Sequence, residues 1–265
     1  MNQETNDIRF LLVVGIAAML MLFISLLLIF IFTQRKKLQY QNQVQNLHDI
    51  QKNQLIEAAI RSEEIERHRI AEELHDEIGA ILGTASLHFY NVVMEDCDDQ
   101  SQMLYQKGRV LLDDGISKIR SISHNLHSSI LQEFGLNEAI THFCSKLGNE
   151  SLLKITANLD NRYSTRASQN DISIYRIIQE FINNITKHAK ASEIIINSTC
   201  VNKHLDINIT HNGNGLTQNH FEELRFKKDG LGLKNIQNRV ILLNAQLGFS
   251  QQSGNFLITI SIPVE

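Results

Sequence analysis

Glu66-Arg67-His68-Arg69-Ile70-Ala71-Glu72-Glu73-Leu74-His75-Asp76-Glu77-Ile78-Gly79 joins a His-Asp pair to a helical apolar stripe. Ala71, Leu74, Ile78, Ile81 and Ala85 recur at three- and four-residue steps, flanked by Glu, Arg and Asp. On a straight helix His75 falls on the shoulder of that stripe and Asp76 faces water. A reachable imidazole can act as a nucleophile. A neighbouring carboxylate can accept the ring proton or fix the tautomer. Taken alone, a solvated His-Asp pair with no role reads the same way. His88, His124 and His127 nearby are read as structural or surface residues.

Past an acidic turn around Glu95 to Asp99, a second run continues the helical period through Leu112, Ile116, Ile119, Leu126 and Ile130. Two such helices cannot bury apolar stripes of this width alone, whereas a homodimer would close them into a four-helix bundle.

Upstream, Phe10 to Phe32 is almost wholly apolar and carries no charge. At about 1.5 Å per residue such a helix matches the thickness of a bilayer core. The run is too uniform for a core helix, and no small-residue cleavage pattern follows it. It reads as a retained membrane helix. Arg35, Lys36 and Lys37 follow directly, which places the N-terminus outside and everything after Gln34 in the cytoplasm. Residues 1–9 are too few for an extracellular ligand-binding domain, since even marginal domains need about 40 residues. Residues 33–62 are polar, with a loose heptad at Tyr40, Val44, Leu47, Leu55 and Ala59, and read as a coiled-coil linker.

The chain has 265 residues and a formal charge of -4, which gives no reason to expect direct nucleic-acid binding. Cys97, Cys144 and Cys200 lack metal-ligand spacing and read as ordinary thiols. The lone proline is Pro263, so nothing breaks helices through the first two thirds of the chain.

After Leu136 the texture changes. Leu152 to Leu159 reads as a strand and Ile172 to Ala189 as a helix. Glu193 to Val201 is β-branched and apolar. Leu205, Ile207 and Ile209, and later Phe256, Ile258, Ile260 and Ile262, alternate with their neighbours as half-buried strands do. The order suggests a two-layer α/β domain over 148–265. On its helix, Glu180, Asn184 and Lys187 stand at i, i+4 and i+7, with His188 beside them. A carboxylate, an amide oxygen and a lysine suit hydrated Mg2+ and its phosphates. Gly213 and Gly215 end an alternating strand, and Gly230-Leu231-Gly232-Leu233 precedes a helix through Lys234, Ile236 and Arg239. Glycines let a backbone approach phosphates, and a helix start supplies free N–H groups. Leu216 to Asp229 reads as a lid. A reactive imidazole on one domain and a nucleotide site on another suggest phosphoryl transfer to histidine.

From about Glu57 to Glu265 the chain resembles the sensor histidine kinases, in the branch related to nitrate and desaturase sensor kinases. The stretch from Glu66-Arg67 to His75-Asp76 is similar to that branch's phosphoacceptor motif. Ile119-Arg120-Ser121-Ile122-Ser123-His124-Asn125-Leu126, with Phe134-Gly135-Leu136, is similar to its second bundle helix and exit. Gln179-Glu180 through Asn184 to Lys187-His188 resembles the N box, and Gly230 to Leu233 the second glycine box.

The resemblance implies a dimerisation and phosphotransfer bundle at 63–147 and a Bergerat-type ATP-binding domain at 148–265, behind a membrane helix at 10–32. It implies that His75 accepts the γ-phosphoryl of ATP with Asp76 as base, that Asn184 coordinates magnesium, and that Glu180 and Lys187 support the ion and the phosphates. The ATP site would comprise Asn184, Lys187, His188, His211, Gly213, Gly215, Gly230, Leu231, Gly232 and Leu233. The implied partners are a second copy of the chain and the receiver domain of a response regulator bearing a LuxR-type DNA-binding output, at the cell inner membrane with a single-pass anchor.

Two positions depart from the family pattern. His211 stands where an aspartate usually accepts a hydrogen bond from the adenine amino group; a neutral imidazole accepts one without the charge. Ala80 stands where this branch often has a glutamine that positions water, so regulator dephosphorylation by that route is not expected. The alternative reading is a degenerate kinase acting as a membrane-tethered dimeric scaffold. A related ATPase acting on serine is a third, disfavoured by the bundle carrying His75.

Overall fold

The computed structural model describes residues 2–92, 98–150, 153–163, 169–224, 231–252 and 254–264. The chain divides into two compact units, Met1–Leu55 and Ile56–Glu265. In the first, helix α1 (Asn2–Glu73, continuing into the second unit) is long and apolar enough to cross a membrane, and its large side chains between Met19 and Phe32 are all exposed.

In the second unit the stripe helix is not uniform. After α1 the backbone widens into a π turn at Leu74–Ile78, then resumes as α2 (Gly79–Tyr90). The five-residue hydrogen-bond step inserts a register shift, so the straight-helix wheel drawn from His75 does not carry across it. Asp98 starts α3 (Asp99–Leu126) by accepting from the Ser101 N–H at 3.1 Å. The expected acidic turn lies mostly outside the described residues. The second run also breaks earlier than its periodicity implies. His127 is extended, and Ser128 caps a separate short helix, α4 (Ser129–Phe134), so Ile130 is not on α3. Gly135, at φ 86°, ends α4 in a conformation that favours glycine.

The hairpin is tied by polar contacts at both ends. Ser123 Oγ donates to the Ala71 carbonyl at 2.9 Å, Ser86 Oγ donates to Asp113 at 3.3 Å, and Arg109 sits 4.0 Å over the Tyr90 ring. Its apolar outer face stays open: Ile81 is 64% exposed, Leu87 66% and Leu111 71%.

The remaining elements are α5 (Leu136–Glu150), β1 (Lys154–Asn158), α6 (Gln169–Asn184) with a second π turn at Ile185–Ala189, β2 (Glu193–Val201), β3 (His204–His211), α7 (Gln218–Leu224), α8 (Leu231–Leu242), β4 (Gln246–Gln252) and β5 (Asn255–Pro263). They form a five-stranded sheet in the order β1-β2-β3-β5-β4, with β1 parallel to β2 and the other pairs antiparallel. Ile194 and Ile196, Leu205, Ile207 and Ile209, and Ile258, Ile260 and Ile262 alternate inward and bury the helical layer's Ile174, Ile178, Phe181 and Ile182. Truncating a fully buried aromatic such as Phe181 to alanine would cost about 3–5 kcal/mol. Leu136, Ala139, Ile140, Phe143 and Cys144 of α5 join this same core. The sequence expectation had placed that helix with the bundle; its apolar face serves the α/β layer. Burial there pushes the Cys144 thiol up to about 12, so it stays protonated and inert.

Candidate functional site

The α6 helix turns one apolar face to the sheet and leaves Glu180 and Asn184 half-buried at its edge, one turn apart, with Asn184 Nδ2 3.4 Å from Glu180 Oε1. The π turn at Ile185–Ala189 follows at once, and Lys190 closes it in the left-handed region at φ 53°. The wide turn changes which side chains share a face. Glu180, Asn184, His188 and Ala189 line a cavity of about 600 Å³, whereas Lys187 is exposed and is not among its lining residues. The straight-helix spacing of Glu180, Asn184 and Lys187 therefore does not hold through the π turn.

The rest of the cavity wall comes from His211, Asn214, Gly215 and Leu216 after β3, His220 and Leu224 of α7, Gly232 and Leu233 of α8, and Ile258. Residues of the N-box-like helix and of both glycine segments thus meet around one space. Gly213 and Leu231 lie outside the wall, and Gly230 lies outside the described residues. Of the expected lid, Gln218–Leu224 is helix and 225–229 lies outside the described residues.

The glycines are required by close protein contacts. A Cβ on Gly213 would come 2.3 Å from the Ala189 carbonyl oxygen, one on Gly215 2.1 Å from the Phe256 ring, and one on Gly232 2.0 Å from Glu180 Oε1. Each hydrogen in place of a methyl lets two site segments touch. Asn212 adds a staple: its side-chain oxygen accepts from the backbone N–H groups of Ser192 and Glu193 at 2.9 and 3.1 Å.

His211 is 3% exposed, and its Nδ1 has no hydrogen-bond partner. Its ring stacks on Phe256 with centroids 5.8 Å apart. Burial pushes its pKa below the usual histidine value, so the ring is neutral near pH 7.

His75 and Asp76 are both exposed and line a separate groove with Leu74, Gly79, Ala80, Ile116, Ile119 and Arg120. Among the described residues, none lines both this groove and the 600 Å³ cavity. Arg120 on α3 brings a cation to the groove, a neighbour that the one-helix reading of His75 could not supply.

A buried ionic cluster seats the α/β domain on the helices. Arg176 of α6 pairs with Glu64 of α1 at 3.0 Å and donates to the Asn125 and Leu126 carbonyls at the end of α3. Arg239 of α8 pairs with Glu63 and Glu64 at 3.0 and 3.1 Å. Glu180 lines both the 600 Å³ cavity and a smaller one of about 250 Å³ beside this cluster. No local spacing marks these arginines, which lie more than a hundred residues from their carboxylate partners.

The sequence pattern of the family described as "Histidine kinase" matches residues 66–131, and that of "Histidine kinase-, DNA gyrase B-, and HSP90-like ATPase" matches residues 169–265, together more than half of the chain. The chain belongs to the sensor histidine kinases. The chain is 25% identical over 211 residues to "Sensor histidine kinase MctS" of Rhizobium johnstonii, an alignment covering 79% of this chain and 45% of that protein. The chain thus spans less than half the length of that curated relative. Among solved structures it is similar to the histidine kinase domain of the Erythrobacter litoralis EL346 blue-light activated histidine kinase (TM-score 0.45, 13% identity, 74% of this chain and 94% of that one). It is also similar to the Acinetobacter baumannii histidine kinase AdeS (TM-score 0.41, 19% identity, 73% of this chain and 98% of that one).

Proposed function

We propose that this kinase binds ATP with magnesium in the 600 Å³ cavity, transfers the γ-phosphoryl group to His75, and passes it on to an aspartate of a separate response regulator. The observation that carries the reading is the convergence of Glu180, Asn184, His188, His211, Gly215 and Gly232 on one space, in a chain whose exposed His75 sits on the preceding helical hairpin.

The chain's own groups divide the work. His75 offers a ring nitrogen to the phosphorus, and Asp76 takes the ring proton. The bond formed is N–P and the bond broken is the one between the γ-phosphorus and its bridging oxygen, with ADP leaving. Asn184 and Glu180 hold the metal side of the nucleotide, Glu180 through water. His188, Gly232 and Leu233 would face the phosphates, with the α8 N-terminus supplying N–H groups. The donor set suits magnesium. Magnesium keeps several waters and takes oxygen ligands, which a carboxylate, an amide oxygen and the phosphates of a bound nucleotide would supply. When bound, it neutralises charge on the transferring group.

The His75 groove and the nucleotide cavity share no described lining residue; in this reading the α/β domain leaves its seat on Glu63 and Glu64 for transfer, or reaches His75 of a partner protomer. A homodimer also covers the open face at Ile81, Leu87 and Leu111. The apolar part of α1 anchors the chain in the inner membrane as a single span, with the N-terminus outside and the kinase region cytoplasmic. The partner fits a receiver domain with a LuxR-type DNA-binding output. Magnesium-dependent ATP binding followed by acid-labile labelling tests this reading. Intact folding without nucleotide binding would instead favour a scaffold, the alternative that His211 raises.

A further inference from the structure

Where the helical hairpin hands over to the α/β domain, two imidazoles touch. His68 of α1 and His127, the extended residue between α3 and α4, hold their ring centroids 4.1 Å apart, edge on face at 75°. Both residues are half-buried, so protons reach the rings from bulk water. The pair adjoins the seat of the α/β domain. Glu64, which pairs with Arg176 at 3.0 Å, precedes His68 by one turn of α1. The Asn125 and Leu126 carbonyls that accept from Arg176 immediately precede His127. Separating the two rings therefore pulls on both halves of the Arg176 clamp.

Neutral rings pack well in this geometry, whereas two charged ones repel each other across so short a gap. The groups facing the pair decide where protons go. Glu72 of α1 holds a carboxylate oxygen 3.2 Å from His68 Nδ1 and accommodates one charge there. His127 meets His68 of α1 and Arg176 of α6, with Gln132 of α4 and Glu64 of α1 as the groups that favour its proton. Burial and the two cationic neighbours prevail and hold His127 below the usual histidine range. A ring kept neutral by the closed contact takes up its proton when the contact opens. Opening is therefore favoured as pH falls below the free-imidazole value of about 6.5, and the closed form is fully favoured above it.

We propose that the contact between His68 and His127 is an acid-sensitive latch: protonation of both rings parts α1 from the junction of α3 and α4 and frees the α/β domain from the Arg176 clamp. In the kinase reading the freed domain is the one able to approach His75, so the proton concentration around the kinase region becomes an input to the enzyme. That consequence rests on the proposed function; the latch itself does not.

The test follows hydrogen exchange of the full chain in nanodiscs, without nucleotide, at pH 7.5 and pH 6.0, corrected for the intrinsic pH dependence of exchange. The amides read are those of His127, which donates to the Ser123 carbonyl at 3.0 Å, and Leu131, which donates to the Ser128 carbonyl at 3.1 Å. In the parent their opening is expected to rise about tenfold on acidification, the effect of one pKa unit between closed and open forms. His127→Gln, polar but not titratable, should bring that ratio to within about twofold of unity, and His68→Gln should lower it. A parent ratio near unity overturns the proposal even if a variant fails to fold, and so does a parent-sized ratio that persists in His127→Gln. Failure of ATP to bind leaves the latch standing, and a flat exchange ratio leaves the nucleotide reading standing, so the two fail separately.

Discussion

Arg176 and Glu64 form an ion pair at 3.0 Å with side chains only 7% and 15% exposed, joining the helix that carries the cavity-lining Glu180 and Asn184 to the helix that leads into His75. The pair is reinforced by the Asn125 carbonyl, which accepts from Arg176 Nη1 at 3.0 Å, and by Gln179 Oε1, which accepts from the same nitrogen at 2.8 Å. Breaking one side of such a pair leaves a buried charge. Glu64→Ala is expected to cost about 3–5 kcal/mol of the domain seat, seen as a lowered first unfolding transition and faster proteolysis near residues 126–135. Exposed Glu66, paired among the described residues with Arg69 at the surface, is the control: Glu66→Ala should change either readout little. Equal effects would show that the cluster does not hold the domain.

The glycines separate stability from activity. At Gly213 an added methyl meets backbone at Ala189 and Ala191, which cannot yield without moving the loop. Gly213→Ala is expected to destabilise by about 1–3 kcal/mol. At Gly232 the methyl meets the end of the Glu180 side chain, which can swing away. Gly232→Ala should therefore melt close to the parent while losing most nucleotide binding, because Glu180 is displaced from the cavity. Thermal melts paired with nucleotide titration check both.

Acid should loosen the molecule before its carboxylates titrate. Burial, with His68 and Arg176 nearby, pushes His127 below the usual histidine range, and burial does the same for His211. A ring whose folded pKa is depressed stays neutral in the fold while the unfolded chain takes up a proton below about pH 6.5. The stability tied to the neutral rings is complete above that pH and is lost as pH falls through the lower folded values. The thermal midpoint should fall between pH 7 and pH 5.5, and His127→Gln should flatten the slope. A profile level across that window contradicts the reading.

The strands of the α/β domain were legible because their faces differ: Leu205, Ile207 and Ile209 alternate with polar residues, and so do Ile258, Ile260 and Ile262. β4 was not, since Gln246 to Gln252 is mostly polar at an edge, with only Leu247 and Phe249 turned to the core. α5 carried a readable signal in Leu136, Ala139, Ile140, Phe143 and Cys144, spaced at three and four residues, but spacing cannot say which core a helix serves. Most of the cavity wall followed from the glycine segments and the Glu180 and Asn184 helix. Lys187 did not, because a π turn leaves no mark in apolar periodicity until a register shift is seen. The Arg176 and Arg239 cluster was invisible for a simpler reason: its partners are joined by folding alone.

The most direct measurement is label transfer from γ-labelled ATP, with magnesium, to the full chain and to His75→Gln and Asn184→Ala. The account expects acid-labile label on the parent at position 75 and none on either variant. Parent protein that stays unlabelled under saturating ATP while binding it, or label that survives His75→Gln, would contradict it.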